Sequence, residues 1–472
     1  MKKAWEIAYD IFSNAKPVIL SNEDQGWGSL KAVSVFYDSL LSLDWSSNVP
    51  GSGAPEKIMV ASIQALENRG CTVENGYELL ERGMKAHLEG NYIELQKISA
   101  EMRNAFLNVK KNEESEYWLF KQYENYSEYE KKVSFIDYTE VDINTEKFKD
   151  QIRAAWMSQL IGAAMGTMVE GYTSKNLYKA FGDVKDYIRE PNTYNDDITF
   201  EFAFLDAFKE HGYDVTSKDI ALSWVGLIPC GWSAEEIALR NIRAGFMPPE
   251  SGKFNNPFSE WIGAQMRGAI CGMVAPGNLK LAAELAWKDG QVSHINNGIL
   301  GEVFNAVMVS MAFVCDDVKE IVKTAIDLIP KDSEYYSVVS FAYDSCMKHS
   351  DWHDALEECE RKYIKYNWIH AYPNACCEII ALLYGDSDYE KTLNIITMCG
   401  LDADCNAGMI MPILGIQKGM CIIPERLISP AFKKLITYMR GYDEILLDDL
   451  VDDTLYYIKK AKKIGRNKKW KS

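Results

Sequence analysis

Apolar side chains in this sequence recur at spacings of three and four and rarely alternate with polar ones. That habit restricts the chain to architectures of helix packed on helix. Leu95, Ile98, Met102, Phe106 and Val109 form the stripe of an amphipathic helix. Leu80, Met84 and Leu88 repeat the spacing just before it, and Gly90-Asn91 separates the two, which predicts a helix pair. Phe148, Ile152, Ala155 and Trp156 resume the pattern and run into Gly162-Ala163-Ala164-Met165-Gly166, where small side chains permit close approach of another backbone. Strand signals are scarce. Val133 to Val141 is rich in β-formers but short, and no tandem repeat or low-complexity segment occurs.

At 472 residues the chain has room for two or three domains of roughly 150 residues each. Its 51 Lys and Arg against 68 Asp and Glu give a formal charge of −17, which opposes broad binding to nucleic acid or an anionic membrane surface. The same balance suits a protein that concentrates cations. Eleven cysteines with no CxxC, and only Cys376-Cys377 close together, read as reduced thiols in a cytoplasm. Met1-Lys2-Lys3 opens like a signal peptide, but Glu6 and Asp10 interrupt what would be its apolar stretch. The longest apolar run, Ala306 to Cys315, is half of what a membrane span needs. A soluble, cytoplasmic protein is expected, with no DNA or membrane partner.

Around Lys110 to Lys132 the composition shifts to Lys, Glu and Tyr, as in a surface helix or linker, and this is the best candidate for a domain boundary. The division expected is an N-terminal helical accessory domain over 1–145, a catalytic domain over 146–463 and a basic tail over 464–472. The tail balances the acidic run Asp448 to Asp453.

Two carboxylate doublets stand out. Asn195-Asp196-Asp197-Ile198-Thr199 opens a helix that carries Phe200, Phe204 and Phe208 on one face. Taken alone, an Asn or Asp in that place is an N-cap. Gly400-Leu401-Asp402-Ala403-Asp404-Cys405-Asn406-Ala407 also precedes an apolar helix, where Asp-x-Asp usually bonds to its own turn. Together the four aspartates would make an oxygen-rich site free of His, the set that hard cations such as Mg²⁺ take. Adjacent aspartates at a helix start diverge by about 100°, so they are placed to serve two neighbouring ions. Glu170, in Gly166-Thr167-Met168-Val169-Glu170-Gly171, and His294, in Ser293-His294-Ile295-Asn296-Asn297-Gly298, complete the candidates. A lone Glu at a helix end is ordinarily solvated, and a lone His is ordinarily structural.

In this order, from about residue 150 to about 463, the segments resemble the ADP-ribosylglycohydrolase family. Gly162 to Glu170 matches its opening helix, with Thr167 where an acidic residue is frequent. Asn195-Asp196-Asp197 matches a Thr-Asp-Asp signature with Asn for Thr. Gly400 to Ala407 matches Gly-Gly-Asp-Thr-Asp-Thr-Asn-Ala with Cys405 for the second Thr. Ser293-His294 with Asn297-Gly298 matches a central Ser/Thr-His segment, and Asn256 to Arg267 resembles a glycine-containing substrate loop. Pro276-Gly277-Asn278 and Trp368 to Asn374 fit a bacterial branch.

The resemblance implies an all-α fold of many orthogonally packed helices around two Mg²⁺ ions, with Mn²⁺ as a substitute. Asn195, Asp196, Asp197, Asp402, Asp404 and Cys405 would hold the metals, although a thiol is a poor partner for Mg²⁺. Glu170 and Asp404 would be catalytic, Glu170 by proton transfer. Ser293, His294, Asn297, Gly298, Gly263 and Arg267 would contact the substrate. The implied activity is hydrolysis of a ribosyl glycosidic bond, releasing ADP-ribose from a modified protein or small molecule. Two other readings stay open: an N-glycosidase of free nucleosides or nucleotides, and a catalytically weak module that binds ADP-ribose.

Overall fold

The structure, a computed structural model, describes residues 2–469, with side chains through Lys463. The expected basic tail therefore lies outside the described side chains, and residues 470–472 lie outside the described backbone altogether. Up to Lys469 the backbone continues the helix Leu447–Lys469. Among the described residues there are twenty-two α-helices and three two-stranded antiparallel ladders of two or three residues per strand. The fold is all-α. No helix among them is long and apolar enough to cross a membrane. The apolar run from Ala306 lies largely in Asn296–Ala312, a helix buried on all sides in the core.

Two helices form the axis of the larger part. Glu146–Gly166 and Ala403–Lys418 pack along their lengths because Gly162 and Gly166, one turn apart, present no side chain to the partner. A methyl on Gly162 would lie 2.4 Å from the Ala407 carbonyl oxygen, and one on Gly166 would lie 2.1 Å from the Asp404 nitrogen. Backbone cannot yield as a side chain can. Gly166→Ala is therefore expected to cost about 1–3 kcal/mol, the range for forcing extra volume into a packed core, read as a fall in melting temperature. Around this axis Phe200, Phe204, Phe208, Trp156 and Trp224 are buried to 1% exposure or less, as the spacing of the phenylalanines predicts.

The N-terminal part has a small core of its own, built from Leu41, Trp45, Met59, Ile63, Leu66, Leu95, Ile98, Met102 and Phe106. The expected stripe on Tyr92–Leu107 is buried there. In Gly76–Leu88 the face is rotated from expectation: Leu79, Gly83 and Ala86 are buried, and Leu88 is exposed. The reason is Trp45, whose indole lies over Gly83 so closely that a methyl there would sit 1.7 Å from the ring, while its Nε1 donates to Ser99 Oγ at 2.9 Å. Helix Ile58–Asn68 joins the two cores. Ile58, Ala61 and Ala65 pack on the larger part, and Met59, Ile63 and Leu66 face the smaller.

Lys110 to Lys132 is not a linker. It is a strap laid on the larger core, with Tyr117, Tyr123 and Tyr129 buried. Tyr117 donates to Glu260 Oε1 at 3.0 Å, the Tyr123 nitrogen to Asn296 Oδ1 at 2.8 Å, and Tyr129 to the Leu328 carbonyl at 3.0 Å. Each ring buries apolar area while its hydroxyl finds a polar partner, a role that composition reads as surface. Val133 to Val141 continues the strap as irregular backbone without a ladder. All eleven cysteines are unbridged.

Candidate active site

The acids separated in sequence meet at the end of the helical axis. Gly166 ends its helix against the Asp404 backbone, and the following turn carries Thr167 and Glu170 beside the start of Ala403–Lys418. The turn is held there by pairing: the Gly171 nitrogen donates to the Leu401 carbonyl at 2.7 Å, and the Leu401 nitrogen to the Tyr172 carbonyl at 2.9 Å. This pairing requires Gly400, where a methyl would lie 2.2 Å from the Tyr172 oxygen. It also forces Leu401 into the left-handed region at φ 58°, a strained conformation immediately before Asp402. Asn374 fixes the far side of the loop, its Oδ1 accepting from the Asp402 nitrogen at 3.2 Å and from Asn406 Nδ2 at 2.8 Å.

The third contribution comes from the start of Asp196–His211. Asn195 is its N-cap, its Oδ1 accepting from the Ile198 nitrogen at 3.3 Å, while its Nδ2 donates to Asp404 Oδ2 at 3.3 Å. The cap reading and the site reading of this residue are both true. Thr167 Oγ1 donates to the same Asp404 oxygen at 3.2 Å. Asp197 is completely buried, and neither of its oxygens has a hydrogen-bond partner within the protein. Ligand atoms of Asp197, Asp404 and Cys405 all lie within 4.8 Å of one another.

Burial and repulsion raise Glu170, Asp196, Asp197 and Asp402. Asp196 is pushed up to about 6, first by burial and then by the Asp404 charge. Asp197 and Asp402 are raised well above the carboxylate range for the same two reasons. Glu170 is raised likewise by burial and by Asp404, with which it shares a hydrogen bond. Burial, then the surrounding carboxylates, also hold the Cys405 thiol protonated. Among the described residues no Lys, Arg or His forms an ion pair with Glu170, Asp196, Asp197, Asp402 or Asp404.

The residues expected to touch substrate sit elsewhere. Arg267, 1% exposed, is the hub of a buried network beneath the acids. Its Nε donates to Asp289, Nη1 to Glu235 Oε1 at 2.9 Å and to the Gly263 carbonyl at 2.6 Å, and Nη2 to Ser293 Oγ at 3.0 Å. Its guanidinium also lies 4.8 Å from the Trp224 ring centroid. Both ring nitrogens of His294 are engaged, Nε2 accepting from the Ala264 nitrogen at 3.3 Å and Nδ1 lying 2.7 Å from Ser293 Oγ. Asn297 Nδ2 donates to Glu260 Oε1 at 3.0 Å. A methyl on Gly263 would meet Glu235 Oε1 at 2.1 Å, and one on Gly298 would meet the Ser259 carbonyl at 2.6 Å. In this structure Ser293, His294, Asn297 and Arg267 are at most 1% exposed and all spent on protein partners. A guanidinium this deep must be matched by buried carboxylates, and Glu235, Asp289 and Glu302 supply them.

Three neighbours of the acids were not legible in the sequence. Glu235 links the Arg267 network to the field of Asp196. Tyr438 lies in the field of both Asp196 and Asp197. Met266 Sδ lies 3.9 Å from Cys405 Sγ and connects the Gln265–Arg267 turn to the cluster. No spacing or motif marks Glu235 or Tyr438, and Met266, although inside the Asn256 to Arg267 segment, is not distinguished there.

Away from the acids, burial raises Glu378 to about 8 against the usual 4.5, the bonds from Gln265 and Asn305 offsetting part of the shift. Burial and the charge of Glu260 raise Glu334 to about 7. Each holds a proton that the unfolded chain releases above about 4.5. Unfolding therefore becomes easier as pH rises from about 4.5 through about 8 and levels above that. Melting temperature against pH should fall across this window, and Glu378→Gln should flatten it.

A family model described as ADP-ribosylglycohydrolase matches residues 144–457, which is 314 of the 472 residues. No curated protein matches the chain. A solved structure described as an "ADP-ribosylglycohydrolase-related protein complex" aligns at 15% identity with a TM-score of 0.48, covering 67% of this chain and 100% of that one.

Proposed function

The chain belongs to the ADP-ribosylglycohydrolase family, a family of hydrolases, and from that premise we propose that it cleaves a ribosyl glycosidic bond of an ADP-ribose-type substrate with the help of bound divalent cations. The observation that carries this reading is the uncompensated acid cluster. Burying Asp197, Asp402 and Asp404 together, with Glu170 and Asp196 half-buried beside them and no cation paired to any, is costly, and proteins keep such groups where an ion completes the site.

The residues fit a hard cation. Asp197 offers two unpartnered oxygens, Asp404 stands within 4.8 Å of it, and Asp196 and Asp402 share the same field. Asn195 is engaged through both amide atoms, so it tethers Asp404 in this arrangement. Cys405, as a protonated thiol, donates towards Asp402 and keeps its sulfur within 4.8 Å of ligand atoms of Asp197 and Asp404. Both substitutions for threonine thus leave an oxygen set suited to Mg²⁺ or Mn²⁺. Bound there, a divalent cation supplies positive charge that orients a ribose diol and makes water more acidic.

The protein's own part is to position and to move a proton. Thr167 and Asn195 fix Asp404 by two hydrogen bonds to one oxygen. Glu170, half-buried at the rim and bonded to Asp404, is placed to hand a proton to the departing group as positive charge develops at the anomeric carbon. Glu235 and Arg267 hold the neighbouring loop rigid beneath. The test is release of ADP-ribose from ADP-ribosylated arginine, and of base from a panel of nucleosides. The expected result is activity lost in EDTA and restored by Mg²⁺. Hydrolysis of the nucleosides alone would replace the ADP-ribose reading, and activity indifferent to EDTA would remove the metal.

A further inference from the structure

The N-terminal part reaches the candidate site through one element, the hairpin whose strands are Ser47–Asn48 and Pro55–Glu56. Its tip, Val49 to Ala54, lies on the turn that carries Glu170. A methyl on Gly51 would be 2.4 Å from Thr167 Cγ2, and one on Gly171 would be 2.5 Å from Ala54 Cβ. Arg189 Nη1 donates to the Gly51 carbonyl at 2.6 Å, and Tyr172 donates its hydroxyl proton to the Ser52 carbonyl at 3.4 Å. The other end of the hairpin is pinned to the start of another helix. Trp232 Nε1 donates to Glu56 Oε2 at 2.8 Å, and Trp232 caps the helix Ser233–Arg243, whose Glu235 lies in the field of Asp196. From Glu56 the chain passes into the helix Ile58–Asn68, where Gln64 is tied to the Lys365 carbonyl at 2.9 Å and to Asn367 at 3.1 Å.

The hairpin thus runs from the turn that carries Glu170 to the cap of the helix Ser233–Arg243, and Glu170 and Asp196 are the two acids of the cluster that keep appreciable exposure. It brings no titratable group to the centre beyond Glu56, which is spent on Trp232. Residues 47–56 lie outside the stretch matched by the family model, so this wall is an addition to the hydrolase part.

We infer that the Ser47–Glu56 hairpin is a specificity wall that confines the site to ribosyl substrates with a small leaving group, and keeps out ADP-ribose attached to a polypeptide. This rests on the hydrolase reading above. A leaving group departs on the side of Glu170, where the hairpin tip stands. A modified polypeptide must bring its own backbone to that same place, whereas a small leaving group carries none. Exclusion by an occupied approach is discrimination by a repulsive element.

The test uses the full chain with Mg²⁺ in a Glu170→Gln background, so that probes are bound and not turned over. The probes are free ADP-ribose and an ADP-ribosylated arginine peptide, titrated calorimetrically. In one variant Val49–Ala54 is replaced by Asn-Gly, a two-residue turn that closes an antiparallel pair. In a second, Arg189→Ala frees the tip without disturbing a buried group, and it carries the comparison if the first does not fold. The parent is expected to bind free ADP-ribose about tenfold or more tighter than the peptide, and opening the tip should bring the peptide up towards free ADP-ribose. Equal binding of both probes by the parent, or discrimination unchanged in the folded variants, would overturn the wall alone. No binding of free ADP-ribose by any protein would overturn the hydrolase reading, and the wall with it.

Discussion

Asp197→Asn is expected to melt higher than the parent in EDTA, and to gain nothing from added Mg²⁺. The carboxyl it removes is fully buried, faces Asp196 and Asp404, and has no hydrogen bond to the protein on either oxygen. Without a cation its charged form is penalised by burial and by the neighbouring carboxylates. The amide keeps the shape and can donate to its neighbours. The penalty removed is first that of burying the charged form and second its repulsion from Asp404 and Asp196, so a higher melting temperature is expected in the metal-free protein. The parent should gain melting temperature from Mg²⁺ in proportion to occupancy. Hydrolysis by the variant should drop by about 10²–10³-fold, as when one fixed electrostatic contact to a transition state is deleted. Differential scanning calorimetry with EDTA and with Mg²⁺, beside an ADP-ribose release assay, reads all three. A variant that melts lower in EDTA would make Asp197 a structural residue.

Glu170→Gln should leave metal response and ADP-ribose affinity in place while lowering kcat by about 10²–10⁴-fold, the span attributed to a positioned general acid or base. Glutamine preserves the side chain's length and its hydrogen bond to Asp404, and removes only the proton that can be transferred. Substrates whose leaving group departs without protonation should lose least. A variant whose KM rises with kcat unchanged would make Glu170 a binding group instead.

Much of the candidate site was present in the order of its segments. Asn195 to Asp197 and Asp402 to Asp404 each begin a helix, and a chain whose period is helical throughout has few ways to bury two acidic helix starts except against each other. Gly162 and Gly166, read as permitting close approach, are where that approach occurs. The role of Asn195 was half legible, because a cap and a tether use the two ends of one amide. Arg267, His294, Asn297 and their neighbours were legible as a segment but not in their surroundings. A motif in the right place does not say whether a side chain faces the ligand or the protein beneath it. That depends on whether Glu235, Asp289, Glu302 and Glu260, scattered over 68 residues of sequence, converge on them.

By itself, then, the sequence determined the helical class, the helical stripe of the N-terminal core and the identity of the acids, because periodicity, small-residue spacing and helix-start chemistry are local properties. Tertiary structure alone decided the rest. It turned a Lys- and Tyr-rich stretch into a buried strap, since a tyrosine's burial depends on which distant carbonyl receives its hydroxyl. It rotated the Gly76–Leu88 face because Trp45, far away in sequence, needed the space over Gly83. And it laid a ten-residue hairpin from outside the hydrolase part against the turn that carries Glu170. Contacts of that kind are set by which surfaces exclude water together, and no spacing along the chain records them.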